Sequence, residues 1–208
     1  MAWAEGRLGG IPARIYRISF SGELSYEVAV PSGRVGELWD RLREVGEPLG
    51  ASPYGTEALH VMRAEKGFVM IGDETDGTVI PQDLGLDWAI SKKKADYIGK
   101  RAQARVHMTD PERLRLVGLE AEGGAVLPDG AYVALAGRND LGQRATEGRV
   151  TSTYRSPTLG RGIAMALVRR GPERMGETVE VPTLDGAAIR ARIVSPVFYD
   201  PEGARARA

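Results

Sequence analysis

The sequence predicts an α+β fold that is followed by a small C-terminal β-barrel, and three observations carry this prediction. The first is a β-hairpin pattern that precedes two helical patterns within residues 1–110. The second is a series of six short alternating segments within residues 111–208, separated by turn residues. The third is the loss of helical periodicity at the Asp110-Pro111 pair. We therefore place a domain boundary there, between residues 110 and 111.

The hairpin pattern occupies residues 13–30 and contains one charge in an unexpected position. Residues 13–20 and 24–30 form the two predicted arms, joined by an S-G-E turn. Alternation places Tyr26 and Val28 on one face of the second arm and Glu27 on the other. A carboxylate between large apolar side chains is either solvated on an open sheet face or directed into a cleft.

Two helices are predicted after the hairpin. Ser32 is expected to cap a helix that continues to about Val45, with Trp39 in its buried apolar stripe. A second helix is predicted over residues 56–66, and Gly67 is expected to end it. The first ten residues are expected to form only a leading segment. Because two strands alone make a marginal sheet, this half is expected to pair with another chain or to belong to a longer protein.

The second half is predicted to be entirely β. Six short strands at near-regular spacing are typical of a small barrel or sandwich. The predicted strands are residues 114–120, 131–135, 147–153, 162–168, 177–181 and 188–194.

Composition excludes several classes of function. Lys and Arg total 28, and Asp and Glu also total 28, so no overall charge favours binding to nucleic acid or to an acidic membrane. The absence of cysteine removes disulfides, thiolate metal sites and cysteine nucleophiles, and it is compatible with a cytoplasmic location. The two histidines lie far apart in sequence, so no metal site is predicted. Motifs for dinucleotides, P-loops and serine hydrolases do not occur.

Four strings in a fixed order carry a family resemblance. They are F-S-G-E-L-S-Y-E, then Y-G-T-E-A-L-H-V-M-R-A-E-K-G-F, then P-Q-D-L-G-L-D-W-A-I with K-K-K-A-D-Y-I-G-K-R, and finally S-P-T-L-G-R-G-I-A-M-A-L-V. Together they resemble the aminomethyltransferase family, which includes the T-protein of the glycine cleavage system. The middle and last strings look most like the C-terminal, folate-binding part of the sarcosine oxidase α subunit.

The resemblance implies a fold and an activity. Residues 1–110 would be the C-terminal portion of a folate-binding α+β domain, and residues 111–208 would be the β-barrel domain. The implied function is to bind tetrahydrofolate and to accept the one-carbon unit from oxidative demethylation of sarcosine, giving 5,10-methylenetetrahydrofolate. FAD, FMN and NAD would bind only elsewhere in a complete sarcosine oxidase. The chain is therefore expected to be part of an enzyme, an oxidoreductase or an aminomethyltransferase.

The resemblance also implies five folate-binding residues. Glu27 matches the glutamate that accepts hydrogen bonds from the pterin, a role that suits a carboxylate; its alternative is a solvated strand residue. Phe20 stands where the family often has tyrosine, so a hydroxyl is lost there. Arg63 would orient Glu27 or meet the folate carboxylates, or else pair on the helix surface. Trp88 would lie near the folate or in the core, and Tyr199 near the folate tail.

One part of the family pattern has no counterpart in this sequence. The family's catalytic aspartate lies before the matched hairpin, so the catalytic residues of this chain are unknown and the site is expected to be incomplete. The expected partners are other sarcosine oxidase subunits or the missing N-terminal portion of the fold, with no nucleic acid and no membrane. The alternatives are an aminomethyltransferase of the glycine cleavage type, which needs a lipoyl carrier protein, and a non-catalytic assembly module.

Overall fold

The structure is a computed structural model in which residues 1–207 are described. The chain divides into two compact units. The first comprises Met1–Arg63 together with the C-terminal residues from Glu202, and the second comprises Ala64–Pro201. The domain division predicted between residues 110 and 111 stays a prediction beside these units. No helix within residues 1–207 is long and apolar enough to cross a membrane.

The first unit contains a three-stranded antiparallel sheet in the order β1-β2-β3. The strands are β1 (Ala2–Leu8), β2 (Ile11–Arg17) and β3 (Glu27–Ala29). Gly9 and Gly10 join β1 to β2 with φ values of 54° and 84°, which suits a two-residue hairpin turn. The prediction of a mere leading segment is therefore wrong. Small residues on one face of β1, such as Ala4 and Gly6, weaken the alternation by which a strand is recognised.

The connection from β2 to β3 is longer than the predicted S-G-E turn. Residues 18–26 form a loop, in which the Gly22 amide donates to Ser19 Oγ at 2.9 Å and the hydroxyls of Ser21 and Ser25 lie 3.4 Å apart. These serines satisfy polar groups locally and so compete with strand pairing. Tyr26, predicted on the apolar face of a strand, lies outside β3 and is 59% exposed.

The helices follow the sequence pattern, but in the first helix only Leu38 of the predicted apolar stripe is buried. A 3-10 turn (Ser32–Arg34) precedes α1 (Val35–Gly46), and the Ser32 side chain makes no capping bond, so the predicted cap is wrong. Trp39 is 51% exposed and does not pack in a core within this chain. The second helix, α2 (Thr56–Glu65), ends as predicted, since Gly67 adopts a φ of 73° and donates its amide to the Ala64 carbonyl.

The second unit contains the predicted barrel and confirms its strand count. Six antiparallel strands close in the order β4-β7-β6-β5-β8-β9, so the sandwich alternative does not apply. A short helix, α3 (Lys100–Gln103), precedes them. The strands are β4 (Leu114–Ala121), β5 (Tyr132–Ala134), β6 (Thr146–Ser156), β7 (Arg161–Arg169), β8 (Thr178–Pro182) and β9 (Ala188–Val194).

Two apolar clusters stabilise this unit because both faces of β4 and β7 are buried. The barrel interior includes Val117, Leu119, Val133, Val179 and Ile193, none of which is measurably exposed. The alternate residues of β4 and β7 face outward and pack with Ala64 and Leu84. Such near-continuous apolar strands are typical of sheets that are covered on both sides. The outer cluster therefore fixes residues 64–86 against the barrel.

Candidate functional site

A row of three side chains crosses one face of the three-stranded sheet. Trp3 of β1 lies directly opposite Tyr16 of β2, and Tyr16 lies opposite Glu27 of β3. Residues that pair across antiparallel strands share a face, so all three side chains project to the same side. The buried Ile11 and Ala13 occupy the alternate positions of β2, on the other side. The row therefore belongs to the accessible face of the sheet.

A cleft of about 320 Å³ lies at this row. Its lining is mostly apolar and aromatic, and Glu27 supplies its one carboxylate. It is lined by Met1, Ala2, Trp3, Tyr16, Arg17, Ile18 and Glu27. Clefts of this size and composition, with few polar groups, are typical of small-molecule sites. The sequence left two environments open for Glu27, and in the structure this carboxylate lines a cleft.

Arg14 links the side chains around the row. Its guanidinium donates to Glu5 Oε1 from two nitrogens, at 3.0 and 2.5 Å, and its Cζ lies 5.8 Å from the centre of the Trp3 ring. This distance permits a cation–π interaction. Hydrogen bonds with the Tyr16 hydroxyl and with Glu5 raise the pKa of Arg14 above its usual value. Arg14 therefore stays charged and lies beside the Trp3 ring.

The predicted folate residues of the first unit fall in different environments. Glu27 lines the cleft, whereas Phe20 is half-buried in the loop of residues 18–26 and is not part of the cleft lining. Arg63 on α2 is completely buried, so the alternative of an arginine on the helix surface is wrong. The folate-binding roles of these residues stay predictions.

The other two predicted folate residues belong to the second unit. Trp88 lies in a 3-10 turn (Asp87–Ala89) and is 79% exposed, which excludes its alternative role in the core. Tyr199 is half-buried, and its backbone amide donates to the Glu65 carbonyl at 2.9 Å. The Glu65 side chain is itself buried and accepts hydrogen bonds from Ser156 and Thr158, at 2.5 and 3.0 Å. The backbone of Tyr199 is thus hydrogen-bonded to Glu65, whose side chain is held by two hydroxyl groups.

Trp3 and Tyr16 line the cleft, although neither was among the predicted site residues. Their positions next to Glu27 follow from the pairing register of the three strands, which the sequence does not reveal. The one usable signal was the alternation of Trp3, Glu5 and Arg7 along β1, which places an exposed aromatic ring on a polar face. The structure adds that this ring lies beside Tyr16 and Glu27 in the cleft.

Two charged groups in the second unit are bound internally. Asp83 is 3% exposed and pairs with Arg113 through two hydrogen bonds of 2.9 and 2.5 Å. The same guanidinium donates to the carbonyls of His107 and Thr78, at 2.9 and 2.7 Å. Hydrogen bonding to Asp83 raises the pKa of Arg113 above its usual value. The pair is therefore structural, and Arg113 remains charged.

Buried Glu74 forms a second internal polar site in this unit. It is fully buried and accepts hydrogen bonds from the Thr151 and Ser152 hydroxyls, at 2.9 and 2.5 Å, and from the Met70 amide at 2.8 Å. Hydrogen bonds of this kind offset the cost of burying a carboxylate. Glu74 thus anchors residues 70–74 to strand β6.

Two family models match successive parts of the chain. The model described as the GCVT N-terminal domain matches residues 1–94. The model described as the glycine cleavage T-protein C-terminal barrel domain matches residues 115–200, which include the six-stranded barrel.

Individual relatives agree with the family models. Sarcosine oxidase subunit alpha from Corynebacterium sp. (strain P-1) is 43% identical over 204 residues, covering 94% of this chain and 20% of that protein. Aminomethyltransferase from Herpetosiphon aurantiacus is 33% identical, covering 91% of this chain and 49% of that protein. The crystal structure of glycine cleavage system aminomethyltransferase T from Bartonella henselae superposes with a TM-score of 0.75 at 26% identity, over 89% of this chain and 49% of that one.

These comparisons apply only to the part of each relative that the chain matches. The chain spans about a fifth of the sarcosine oxidase relative and about half of each aminomethyltransferase. Within that span, the N-terminal and barrel models follow one another in chain order, and the fold of a solved aminomethyltransferase is reproduced. This chain belongs to the aminomethyltransferase (glycine cleavage T-protein) family.

Proposed function

We propose that this chain is the tetrahydrofolate-binding part of a sarcosine oxidase-like enzyme. In the proposed reaction, tetrahydrofolate accepts the one-carbon unit that oxidative demethylation of sarcosine releases, and 5,10-methylenetetrahydrofolate is formed. The observation that carries the proposal is the position of the Glu27 carboxylate in an aromatic cleft. The 43% identity to sarcosine oxidase subunit alpha supports this choice of reaction over others in the family.

The chemistry of the cleft suits a pterin. The pyrimidinone ring of the tetrahydropterin is planar and presents an amino group and a ring N–H along one edge, and the two oxygens of a carboxylate accept such donors in parallel. Glu27 is exposed at the beginning of β3, so a ligand can reach its carboxylate from solvent. Trp3 and Tyr16 supply aromatic surface beside it. The cleft therefore offers both an acceptor for the edge of the ring and apolar contact for its faces.

The remaining predicted contacts form part of the same proposal. We propose that Arg63 and Phe20 of the first unit, and Trp88 and Tyr199 of the second, contact tetrahydrofolate in the assembled enzyme. FAD, FMN and NAD are proposed to bind only to other parts of a complete sarcosine oxidase. We also retain the domain division at residues 110 and 111, and a cytoplasmic location, as proposals.

Two other functions have specific support. An aminomethyltransferase of the glycine cleavage type is supported by the 33% identical relative and by the structural neighbour, and it would need a lipoyl carrier protein as partner. A non-catalytic assembly module is supported by the exposed apolar face of α1. The first alternative shares the folate site with our proposal, whereas the second does not require it.

A calorimetric titration with 5-formyltetrahydrofolate, a stable reduced folate, tests the proposal. We expect saturable binding at a stoichiometry of one, either to the chain alone or to its complex with a polypeptide that carries the other half of the aminomethyltransferase fold. Absence of saturable binding in both samples would contradict the proposal and favour the assembly module. Binding that appears only in the complex would show that the folate site is shared between the two halves.

The exposed face of α1 suggests where that other half docks. Val35, Trp39, Leu42 and Val45 recur at helical spacing and are 53%, 51%, 53% and 66% exposed. A contiguous apolar stripe of this kind marks an interaction surface. Because the chain spans only about half of its aminomethyltransferase relatives, we propose that the unmatched half of the fold occupies this stripe.

Substitution of Trp39 by glutamate is expected to weaken association with that half at least tenfold, since a charge would be buried in an apolar contact. Sedimentation velocity of the mixed polypeptides measures the association. Leu184→Glu is the matched control, because Leu184 is fully exposed in the second unit, far along the chain from α1. If the chain instead forms a homodimer that Trp39→Glu disrupts, a second copy occupies the stripe and the proposal is wrong.

A further inference from the structure

We propose that Trp3 and Tyr16 form an aromatic platform on which the pterin ring of folate lies flat, with its donor edge directed towards Glu27. This inference rests on the proposed function and extends it to two residues that the family resemblance did not identify. It commits the ring to a particular orientation across the three strands, and it makes Trp3 a determinant of folate affinity.

The register of the sheet provides the geometry. Trp3, Tyr16 and Glu27 occupy paired positions on three adjacent strands. Neighbouring strands lie about 4.8 Å apart, so the row extends about 10 Å from the first strand to the third. A bicyclic heterocycle with its edge substituents fits this length. Two aromatic rings lie beneath it, and the carboxylate stands at the end of the row.

The side chains of the platform are arranged on the sheet before any ligand binds. Arg14 Cζ lies 5.8 Å from the centre of the Trp3 ring, and the Arg14 guanidinium donates two hydrogen bonds to Glu5. Trp3 remains 65% exposed. An accessible indole has only two side-chain torsions and so loses little conformational freedom when a ring stacks on it, which favours binding.

If Trp3 and Tyr16 had a purely structural role, their removal would affect stability and not folate affinity. Aromatic residues paired across strands stabilise a sheet by themselves, without any ligand. If that were the whole role of Trp3 and Tyr16, removing either ring would lower the stability of the first unit and leave folate affinity unchanged. The two roles are therefore separated by measuring affinity and stability on the same variants.

The test is a titration of 5-formyltetrahydrofolate into Trp3→Ala, Trp3→Phe and Tyr16→Ala, in the sample in which the wild type binds. We expect Trp3→Ala and Tyr16→Ala each to weaken binding about tenfold, in line with the contribution of stacking on a heterocyclic base. Trp3→Phe keeps an aromatic face and should recover most of the affinity. Tyr54→Ala is the matched control, because Tyr54 is a similarly exposed aromatic residue of the first unit, at 63%.

Tryptophan fluorescence supplies a second readout. Folate binding should quench the wild-type emission. Measured in a Trp88→Phe background, so that quenching of Trp88 does not contribute, Trp3→Phe should remove most of that quenching while leaving the affinity nearly unchanged. If Trp3→Ala and Tyr16→Ala bind with wild-type affinity while Glu27→Gln binds more weakly, the platform is wrong and the proposed function stands. If the wild type shows no saturable binding, both the platform and the proposed function are overturned.

Discussion

Replacing Arg113 with methionine is expected to lower the free energy of unfolding of the Ala64–Pro201 unit by about 3–5 kcal/mol. The substitution leaves the carboxylate of Asp83, which is 3% exposed, buried without its cation. It also removes the hydrogen bonds that Arg113 donates to the carbonyls of Thr78 and His107. A buried charge without a partner is among the most destabilising changes that a single substitution can cause.

Urea unfolding followed by circular dichroism measures this loss of stability. Two further variants test whether the unpaired buried charge causes it. Arg190→Met is the matched control, because the Arg190–Glu122 pair is 59% and 61% exposed and should contribute little. The double variant Arg113→Met with Asp83→Leu should recover much of the loss, since no charge is left buried. A wild-type midpoint for Arg113→Met would contradict this description of the pair.

The charge of Arg113 should also persist over the working range of pH. Asp83 raises the pKa of Arg113, and a cation whose pKa is raised on folding contributes stability that is lost only when the pH rises through that raised value. The normal pKa of arginine already lies in the strongly alkaline range. The contribution of the Arg113 charge is therefore expected to stay constant up to strongly alkaline pH.

Replacing Glu27 with glutamine is expected to weaken binding of 5-formyltetrahydrofolate about 10- to 100-fold. Hydrogen bonds to a charged group contribute about 1.5–3 kcal/mol, and 1.4 kcal/mol corresponds to a factor of ten. The amide has the same size as the carboxylate but replaces one acceptor oxygen with a donor, which would face the donor edge of the pterin. Comparing Glu27→Gln with the wild type therefore tests the charge and the acceptor capacity of the side chain while its shape stays the same.

Calorimetry at matched protein concentrations measures the change in affinity. Glu44→Gln serves as the control, because Glu44 is an exposed carboxylate of α1 in the same unit. Circular dichroism should show no change for Glu27→Gln, since Glu27 lies exposed at the beginning of β3. Folate affinity equal to that of the wild type would remove Glu27 from the pterin site.

The barrel could be predicted from sequence because local patterns determine it. Each strand alternates or is continuously apolar over a short run, and glycine-containing turns such as P-D-G and L-D-G separate the strands. The structure places six strands close to the predicted positions and closes them into a barrel. Closure itself depends on pairing between distant strands, such as β4 with β9, and no local pattern records it.

The candidate site was only partly predictable for the same reason. Glu27 was recognisable because a mid-strand carboxylate is locally anomalous and because it fell within a family string. Trp3 and Tyr16 join it only through the register of three strands, and β1 itself was missed. The Asp83–Arg113 pair likewise joins residues 30 positions apart, which periodicity cannot reveal.

The exposed stripe of α1 shows that an amphipathic pattern predicts a buried face without identifying the surface that covers it. The spacing of Val35, Trp39 and Leu42 predicted a buried face, yet each of these residues is more than half exposed. The pattern indicates that the helix buries this face against something, but not that the covering surface belongs to the same chain. This is the physical reason that the prediction of core packing for Trp39 failed.

A crystal structure of the chain with 5-formyltetrahydrofolate, bound to the other half of the fold if binding requires it, tests the central claim most directly. We predict that the amino group and ring N–H of the pterin lie within about 3 Å of the Glu27 carboxylate oxygens. The ring is predicted to lie over Trp3 and Tyr16. A folate bound away from this cleft, with Glu27 facing solvent, would contradict the assignment.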